Sequence, residues 1–329
     1  MGSKKSIITS PVGGIFYRLR GALLSGKRAA YKALLIKVLK PFTNIIDLLI
    51  NPLYGTRNLR PPVPPTIMIV STPRSGATII YQTVARILPS TYISNLHALF
   101  PTRASQLVIR KKGRIPLRTK NYYGYTSGMY DVYEGNEFID PLFSKPGLSD
   151  DTKEKFSQLL RRINPTPTLP FVFKNARNFS NIKALSEAIP EVLFIRIRRD
   201  PEQVVQSELK AYQELKSFHP VPESLKNAGI TDPLEFAVRQ ILEIDDEIDG
   251  QLQQIDPSRW IEWDYEAFCQ DPVQMVSRLI NDQLKMPEVQ IREENLDYNL
   301  KVSERKKVSE EEEKRIAQLI SEIKKTKKL

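Results

Sequence analysis

The stretch Thr66-Ile-Met-Ile-Val-Ser-Thr-Pro-Arg-Ser-Gly-Ala-Thr78 decides the fold of this chain. Its β-branched run from Ile67 to Val70 predicts a buried strand, and the turn Pro73-Arg74-Ser75-Gly76 leads into a helix that begins near Ala77. A helix start after a tight turn directs backbone N–H groups and the positive end of the helix dipole toward one point. The sequence therefore predicts an anion-binding loop, to which Arg74 adds a guanidinium suited to phosphate or sulfate oxygens.

The loop is not the nucleotide-triphosphate-binding loop. That motif needs a glycine, four residues and then Gly-Lys-Ser/Thr, and neither the spacing nor the lysine is present here. A kinase that uses ATP and magnesium therefore remains only an alternative function. The nucleotide that the protein binds would distinguish it from the favoured one.

A second strand-to-helix junction lies at Val192-Leu-Phe-Ile-Arg-Ile-Arg-Arg-Asp-Pro201. Pro201 fits the first turn of the next helix, where its missing N–H costs nothing. Arg199 and Ser207 are eight residues apart, so one lies at the end of the strand and the other two turns into the helix.

The two junctions, in this order, resemble the sulfotransferases that use 3′-phosphoadenosine 5′-phosphosulfate (PAPS). The first resembles the family's 5′-phosphosulfate loop, in which members carry Lys or Arg where Arg74 stands. The second resembles the 3′-phosphate site, with an Arg before Asn/Asp-Pro and a Ser eight residues later. The resemblance covers about residues 65 to 300 and implies an α/β fold: a three-layer sandwich with a central parallel sheet and a P-loop-like phosphosulfate-binding loop. The cofactor-binding residues that it implies are Thr72, Arg74, Ser75, Gly76, Ala77, Thr78, Arg199, Ser207 and Lys307.

A third stretch supports the match. Phe171-Val-Phe-Lys-Asn175 predicts a strand and 182–189 a short helix, so that this strand and the one at 192–198 should be parallel. In tyrosylprotein and many carbohydrate sulfotransferases a lysine occupies the place of Lys174 and faces the transferring group. The resemblance therefore implies that Arg74 and Lys174 stabilise the charge that develops on the leaving 5′-phosphate.

The acceptor hydroxyl or amine loses a proton as it attacks, which requires a general base. His97 is the leading candidate, because it lies a little over twenty residues beyond Arg74, where several family branches place a catalytic carboxylate or histidine. A structural histidine that caps the local backbone is an equally weighted alternative. Glu134 and Glu137 are further candidates, since many carbohydrate sulfotransferases use a glutamate base.

The acidic, tyrosine-rich stretch 122–140 is the best indication of the acceptor. Aromatic faces and carboxylates together favour a polar small molecule, for example a cationic secondary metabolite. Tyrosines that stack on sugar rings make a carbohydrate or glycolipid the alternative acceptor, and a solvated surface loop is the structural alternative. The sequence lacks the glycine-rich 3′-phosphate loop of the phenol-type branch, which favours a bacterial or carbohydrate-type relative. A group at Lys301, Ser303, Lys306 and Lys307 is the candidate to close the cofactor site instead.

The composition agrees with an anionic ligand. The chain has 49 Lys and Arg against 38 Asp and Glu, a formal net charge of +11, and a basic cleft would attract a polyanion such as PAPS. Nucleic acid or an anionic membrane would account for the charge equally well, although we expect no nucleic-acid partner. One cysteine and two histidines leave no internal disulfide and too few ligands for a soft-metal site, so we expect no metal.

Three segments are predicted: a basic, amphipathic helical extension at 1–64, a catalytic domain at 65–304 and a charged C-terminal helix at 305–329. Lys37, Lys40, Pro41 and Asp47 make the apolar stretch 33–53 too polar to span a bilayer. The favoured interpretation is helices packed on the catalytic domain or on a partner subunit; the alternative is a segment lying on a membrane surface. We expect a cytoplasmic protein, with peripheral membrane contact as the alternative.

Overall fold

A parallel sheet of five strands forms the centre of the described part of the chain. The strands are β1 (Thr66–Ser71), β2 (Thr91–Tyr92), β3 (Phe171–Lys174), β4 (Val192–Arg198) and β5 (Trp260–Asp264). Their order in the sheet is β2-β3-β1-β4-β5, and every neighbouring pair is parallel. The computed structural model describes residues 65–100, 132, 149–155, 169–176, 178–189, 191–293, 300, 302 and 308–327, and ten single residues between 31 and 49.

β1 is central and buried along its whole length, which explains its almost continuous apolar sequence. Successive side chains point to opposite faces of a strand, so Ile67 and Ile69 join one hydrophobic cluster while Met68 and Val70 join the other. The predicted strands at 171–174 and 192–198 are both present, and they flank β1 on its two sides.

Helices cover both faces of the sheet. In chain order they are α1 (Ala77–Ile87), α2 (Asn95–Leu99), α3 (Ile182–Ala188), α4 (Pro201–Leu215), α5 (Pro233–Leu252), α6 (Tyr265–Gln270), α7 (Pro272–Arg278) and α8 (Glu310–Lys327). α1, α6 and α7 pack on the face that carries Ile67, and α3 and α5 pack on the face that carries Met68. The predicted three-layer α/β fold is therefore confirmed.

The sequence signals for helix starts appear as real caps. Asp200 accepts the N–H of Glu202 at the start of α4, with Pro201 at the first position of that helix. Asp264 accepts the N–H of Ala267 at the start of α6, which is the capping role that its position after a strand indicates.

α8 packs against α4 and α5 to form a third apolar cluster. It buries Ile316 and Ile320 there, together with residues such as Val204 and Ile241. Ser309 and Glu312 form a capping box at its start, since each side chain accepts the backbone N–H of the other. Across the described ranges, no helix has the length and the apolar character needed to cross a membrane.

Candidate active site

The carboxyl ends of three strands meet at one edge of the sheet. β1 pairs with β4 up to Ser71 and Ile197, and with β3 up to Ile69 and Lys174. The chain continues from β1 to β2 and β3 on one side, and only later fills the other side with β4 and β5. In open α/β sheets, ligands bind outside the carboxyl ends of the strands at such a switch point.

The loop after β1 has the tight geometry that its sequence predicts. Arg74 has a φ of 63° and Gly76 a φ of 89°, so the chain enters the left-handed region twice within three residues. The carbonyl of Gly76 accepts the N–H groups of Ile79 and Ile80, and no side chain caps this helix start. The buried Ser75 hydroxyl donates to the carbonyl of Thr72 at 2.8 Å and fastens the turn. The 11-residue helix α1 therefore begins a few residues after the end of β1, and the positive end of its dipole lies at this edge of the sheet.

The ring of Tyr265 packs against the loop at Gly76. An added Cβ at Gly76 would lie 2.1 Å from Cε2 of Tyr265, so only glycine fits between the loop and this ring. The guanidinium of Arg199 stacks on the same ring, 4.3 Å from its centroid, and its Nε lies 3.4 Å from a carboxylate oxygen of Glu266. One aromatic ring thus supports both predicted anion-binding elements. The sequence pattern alone does not mark Tyr265 and Glu266 as site residues, because both look like ordinary first-turn residues of α6.

The two anion-binding motifs are in direct contact. Arg74 Nε donates to Ser207 Oγ at 3.4 Å, and Arg199 Nη1 donates to the carbonyl of Arg74 at 3.4 Å. Arg199 is further held by Gln203, whose Oε1 accepts from Nη2 at 3.0 Å. Motifs that are far apart in the sequence therefore form one continuous surface.

Lys174 reaches the same place from β3. Its Nζ donates to Thr78 Oγ1 at 3.3 Å, and its side chain is buried. Thr78 is the second residue of α1, and Ala77 before it is also buried. The structure thus brings Thr72, Arg74, Ser75, Gly76, Ala77, Thr78, Lys174, Arg199 and Ser207 together at one edge of the sheet.

Of the three arginines at 196, 198 and 199, it is Arg199, the residue after β4, that contacts this site. Arg196 is fully buried and pairs with Asp245 and Asp249 on α5. Arg198 binds the same two carboxylates and also Glu262 on β5, at 2.7 Å. These two arginines therefore hold α5 and β5 against the central strands.

A buried carboxylic acid lies beside the two motifs. Glu208 follows Ser207 on α4 and is buried, and desolvation raises its pKa to about 7 while the nearby Arg74 charge opposes that rise. Gln240 on α5 is its polar neighbour, and the Nε2 of this amide donates to the carbonyl of Pro220 at 2.5 Å. The sequence pattern alone does not mark Glu208 as a site residue, because a glutamate in an amphipathic helix normally faces solvent.

His97 lies in α2, behind the end of β2. It is fully buried, and its Nδ1 accepts the backbone N–H of Ser94 at 2.9 Å in a capping arrangement. Burial lowers the pKa of His97 to about 3, so the ring is neutral. This is the geometry of the backbone-capping alternative.

Other candidates lie outside the described residues: Glu134, Glu137, Lys301, Ser303, Lys306 and Lys307. Val132, in the acidic tyrosine-rich stretch, is described; it is buried and forms an antiparallel bridge with Ser94. No group of three His, Cys, Asp or Glu side chains in the described ranges is arranged to hold a metal ion.

The model of the Sulfotransferase family matches residues 65–290, which include both anion-binding loops, Lys174 and β5. The chain belongs to the PAPS-dependent sulfotransferase family. As a family member it is an enzyme of the PAPS-dependent transferase class. A comparison with curated protein sequences finds no match.

Solved sulfotransferase structures are similar to this chain. Sulfotransferase STF1 from Mycobacterium tuberculosis H37Rv is 13% identical, with a TM-score of 0.56, and the match covers 97% of this chain and 88% of that one. Sulfotransferase STF9 from Mycobacterium avium is 15% identical, with a TM-score of 0.46, and the match covers 97% of this chain and 90% of that one. The agreement with the first of these supports the three-layer architecture.

The residues of this sulfotransferase fit a nucleotide that carries two separate anionic groups. Three cationic side chains, Arg74, Lys174 and Arg199, converge at a helix N-terminus together with the hydroxyls of Thr78 and Ser207. Among the described residues, two carboxylates interact with these cations: Glu208, whose pKa is raised to about 7 and which feels the Arg74 charge, and Glu266, which pairs with Arg199. Positive charge therefore exceeds negative charge at this edge, as a phosphosulfate and a 3′-phosphate require.

Proposed function

We propose that this sulfotransferase moves the sulfuryl group of PAPS to a hydroxyl or amine of a polar small-molecule acceptor. PAPS supplies the sulfuryl group, whose S–O bond to the 5′-phosphate breaks as a bond to the acceptor atom forms and the acceptor loses a proton. The observation that carries the proposal is the contact of the two anion-binding motifs through Arg74, Ser207 and Arg199.

The 5′ side of the nucleotide would bind at the loop after β1. The N-terminus of α1, Arg74 and the hydroxyl of Thr78 would hold the phosphosulfate, with Thr72 and Ser75 shaping the turn. Arg199 and Ser207 would hold the 3′-phosphate, and Lys307 is the proposed closing residue on that side. A ligand with both phosphates would replace the contacts between the two motifs with contacts to itself.

Arg74 and Lys174 are the proposed electrostatic catalysts. Sulfuryl transfer, like phosphoryl transfer, depends mostly on the positioning of the reactants and on cations near the leaving oxygen. Lys174 lies 3.3 Å from Thr78 at the helix start, so its ammonium is held where negative charge would develop. Its burial keeps water away and strengthens that interaction.

The general base stays a prediction among His97, Glu134 and Glu137. The lowered pKa and the capping contact make His97 a weak proton acceptor near neutral pH. Glu134 follows the described Val132 by two residues, and Val132 pairs with Ser94 in the turn before His97. This proximity along the chain favours Glu134 as the first residue to substitute.

Single substitutions separate these roles. Replacing a catalytic base should lower kcat and remove one limb of the pH profile of kcat. The melting temperature should not change. Glu134→Gln and Glu137→Gln test this directly, and His97→Asn keeps a group that can accept the Ser94 N–H. If His97→Asn lowers the melting temperature but leaves kcat per folded molecule unchanged, His97 is a structural cap. Unchanged turnover in all three variants would contradict the assignment of the base.

Nucleotide protection tests the cofactor site itself. We expect 3′,5′-adenosine bisphosphate to raise the melting temperature, because the free energy of binding adds to the stability of the folded state. ATP with magnesium should have little effect. Arg74→Ala and Arg199→Ala should each reduce the rise, whereas Arg239→Ala, which loses a surface pair with Glu235, should keep it. Protection by ATP and magnesium alone would contradict the proposal.

The acceptor class is tested by product formation from PAPS. Polar amines and alcohols are the expected acceptors, and a carbohydrate or glycolipid series is the comparison. Turnover with sugars and none with the small-molecule series would replace the first acceptor class with the second.

A further inference from the structure

The N-terminal segment carries an exposed apolar stripe. All ten described residues between 31 and 49 are helical, and eight of them are large hydrophobic side chains with 37–69% of their surface exposed. These eight form the stripe: Tyr31, Leu35, Val38, Leu39, Phe42, Ile45, Ile46 and Leu49. Throughout the described ranges, every large hydrophobic residue that is exposed belongs to this stripe.

The spacing of the stripe places it on one side of a helix. Intervals of three and four residues recur through the segment, and at 3.6 residues per turn the eight positions fall within about 120° of arc. Thr43, which is buried, lies about 100° away from the centre of that arc. Thr43, the one buried residue among the ten that are described in this segment, therefore lies outside the stripe. The interpretation favoured from the sequence is helices packed on the catalytic domain or on a partner subunit; the exposure of the stripe shows that the catalytic domain does not cover this face.

The charge of the chain is concentrated in the same segment. The segment 1–50 contains nine Lys and Arg and a single acidic residue, Asp47, so it contributes +8 of the formal net charge of +11. The rest of the chain therefore carries only +3. Six of the nine cations precede the stripe, and three lysines and Asp47 lie within 31–49. An apolar-faced helix in a basic segment matches a surface that offers negative charge and apolar depth together, which an anionic lipid bilayer does. A second copy of this chain would bring a second +8 segment close to the first and would be repelled.

We infer that the stripe docks the protein on anionic membrane surfaces, with the helix lying in the plane of the lipid headgroups. The apolar side chains enter the boundary between headgroups and acyl chains, and the basic residues of the segment remain beside the lipid phosphates. This holds whatever acceptor the enzyme uses.

Vesicle flotation of the full chain tests the inference. We expect binding to vesicles of phosphatidylcholine with about 30% phosphatidylglycerol, and much weaker binding to phosphatidylcholine alone or at high salt. Leu35→Ser with Phe42→Ser should lower the binding at least about tenfold, because two large side chains no longer enter the bilayer. Lys37→Gln with Lys40→Gln should lower binding only to the anionic vesicles.

Two controls make each outcome decisive. Melting-temperature protection by 3′,5′-adenosine bisphosphate, measured in parallel, shows that a variant is folded and keeps its cofactor site. Sedimentation reports self-association. No binding to anionic vesicles, or binding that survives Leu35→Ser with Phe42→Ser, would overturn the inference. A dimer that these two substitutions dissociate, with no vesicle binding, would assign the stripe to a second copy instead.

Discussion

Gly76→Ala should be unusually damaging for so small a change. The substituted residue would have to keep a φ of 89°, which costs an L-amino acid about 1–2 kcal/mol. Its Cβ would also lie 2.1 Å from Cε2 and 2.3 Å from Cδ2 of Tyr265, so that the ring or the loop must move. Overpacking of this kind costs about 1–3 kcal/mol, which gives a total loss of about 2–5 kcal/mol.

Gly229→Ala is the matched control for the backbone contribution. Gly229 has a φ of 67°, and an added Cβ would meet nothing within 4 Å. This variant should therefore lose only the backbone contribution of about 1–2 kcal/mol. The difference between the two alanine variants measures the collision with Tyr265.

Urea unfolding of four variants is the assay. Tyr265→Ala removes the ring, so in that background Gly76→Ala should cost no more than Gly229→Ala does in the native chain. Affinity for 3′,5′-adenosine bisphosphate should fall as well in Gly76→Ala, because a displaced Tyr265 no longer supports Arg199. Equal losses in Gly76→Ala and Gly229→Ala, or a Gly76→Ala penalty that remains without Tyr265, would refute the reasoning.

Three further predictions concern charged groups. Lys174→Ala should lower kcat about 10²–10³-fold with a melting temperature near that of the native enzyme, and an unchanged kcat would show that the ammonium does not stabilise the transition state. Asp245→Ala leaves the buried Arg196 with one carboxylate fewer, so the free energy of unfolding measured in urea should fall by about 3 kcal/mol. This loss should be larger than the loss in the volume-matched Arg196→Met. The reverse order would contradict the ion-pair account. Because the folded-state pKa of Glu208 is raised to about 7, above the ordinary 4.5, the native chain should lose stability relative to Glu208→Gln as the pH rises from about 4.5 to about 7. Urea unfolding at pH 5 and pH 8 checks this, and a constant gap between the two proteins would show that Glu208 does not titrate there.

The sequence contained most of the architecture because the determining signals are local. A buried apolar strand leads through a short connection into a helix within 66–87, and the same strand-to-helix order recurs at 192–215, so each junction could be recognised without its partner. The parallel order of the strands then brought their carboxyl ends together, and with them Arg74, Lys174 and Arg199.

The parts that the sequence did not reveal depend on distant partners. Nothing near Tyr265 indicates that its ring would lie against Gly76, which comes far earlier in the chain. The destinations of Arg196 and Arg198 depend on acids that α5 supplies well after β4 has ended. The burial of Glu208 follows from the way α5 covers α4, which a helical pattern alone does not specify.

The direct test of the central claim is calorimetric affinity for 3′,5′-adenosine bisphosphate compared with 5′-AMP, which lacks only the 3′-phosphate. If the two anion-binding motifs form one nucleotide site, the native enzyme should prefer the bisphosphate. Arg199→Ala should then reduce that preference about 10–100-fold, the value of a charge-assisted hydrogen bond, with little change for 5′-AMP, whereas Arg74→Ala should weaken both ligands. A native enzyme that binds the two ligands equally, or an Arg199→Ala variant that keeps the full preference, would contradict the claim.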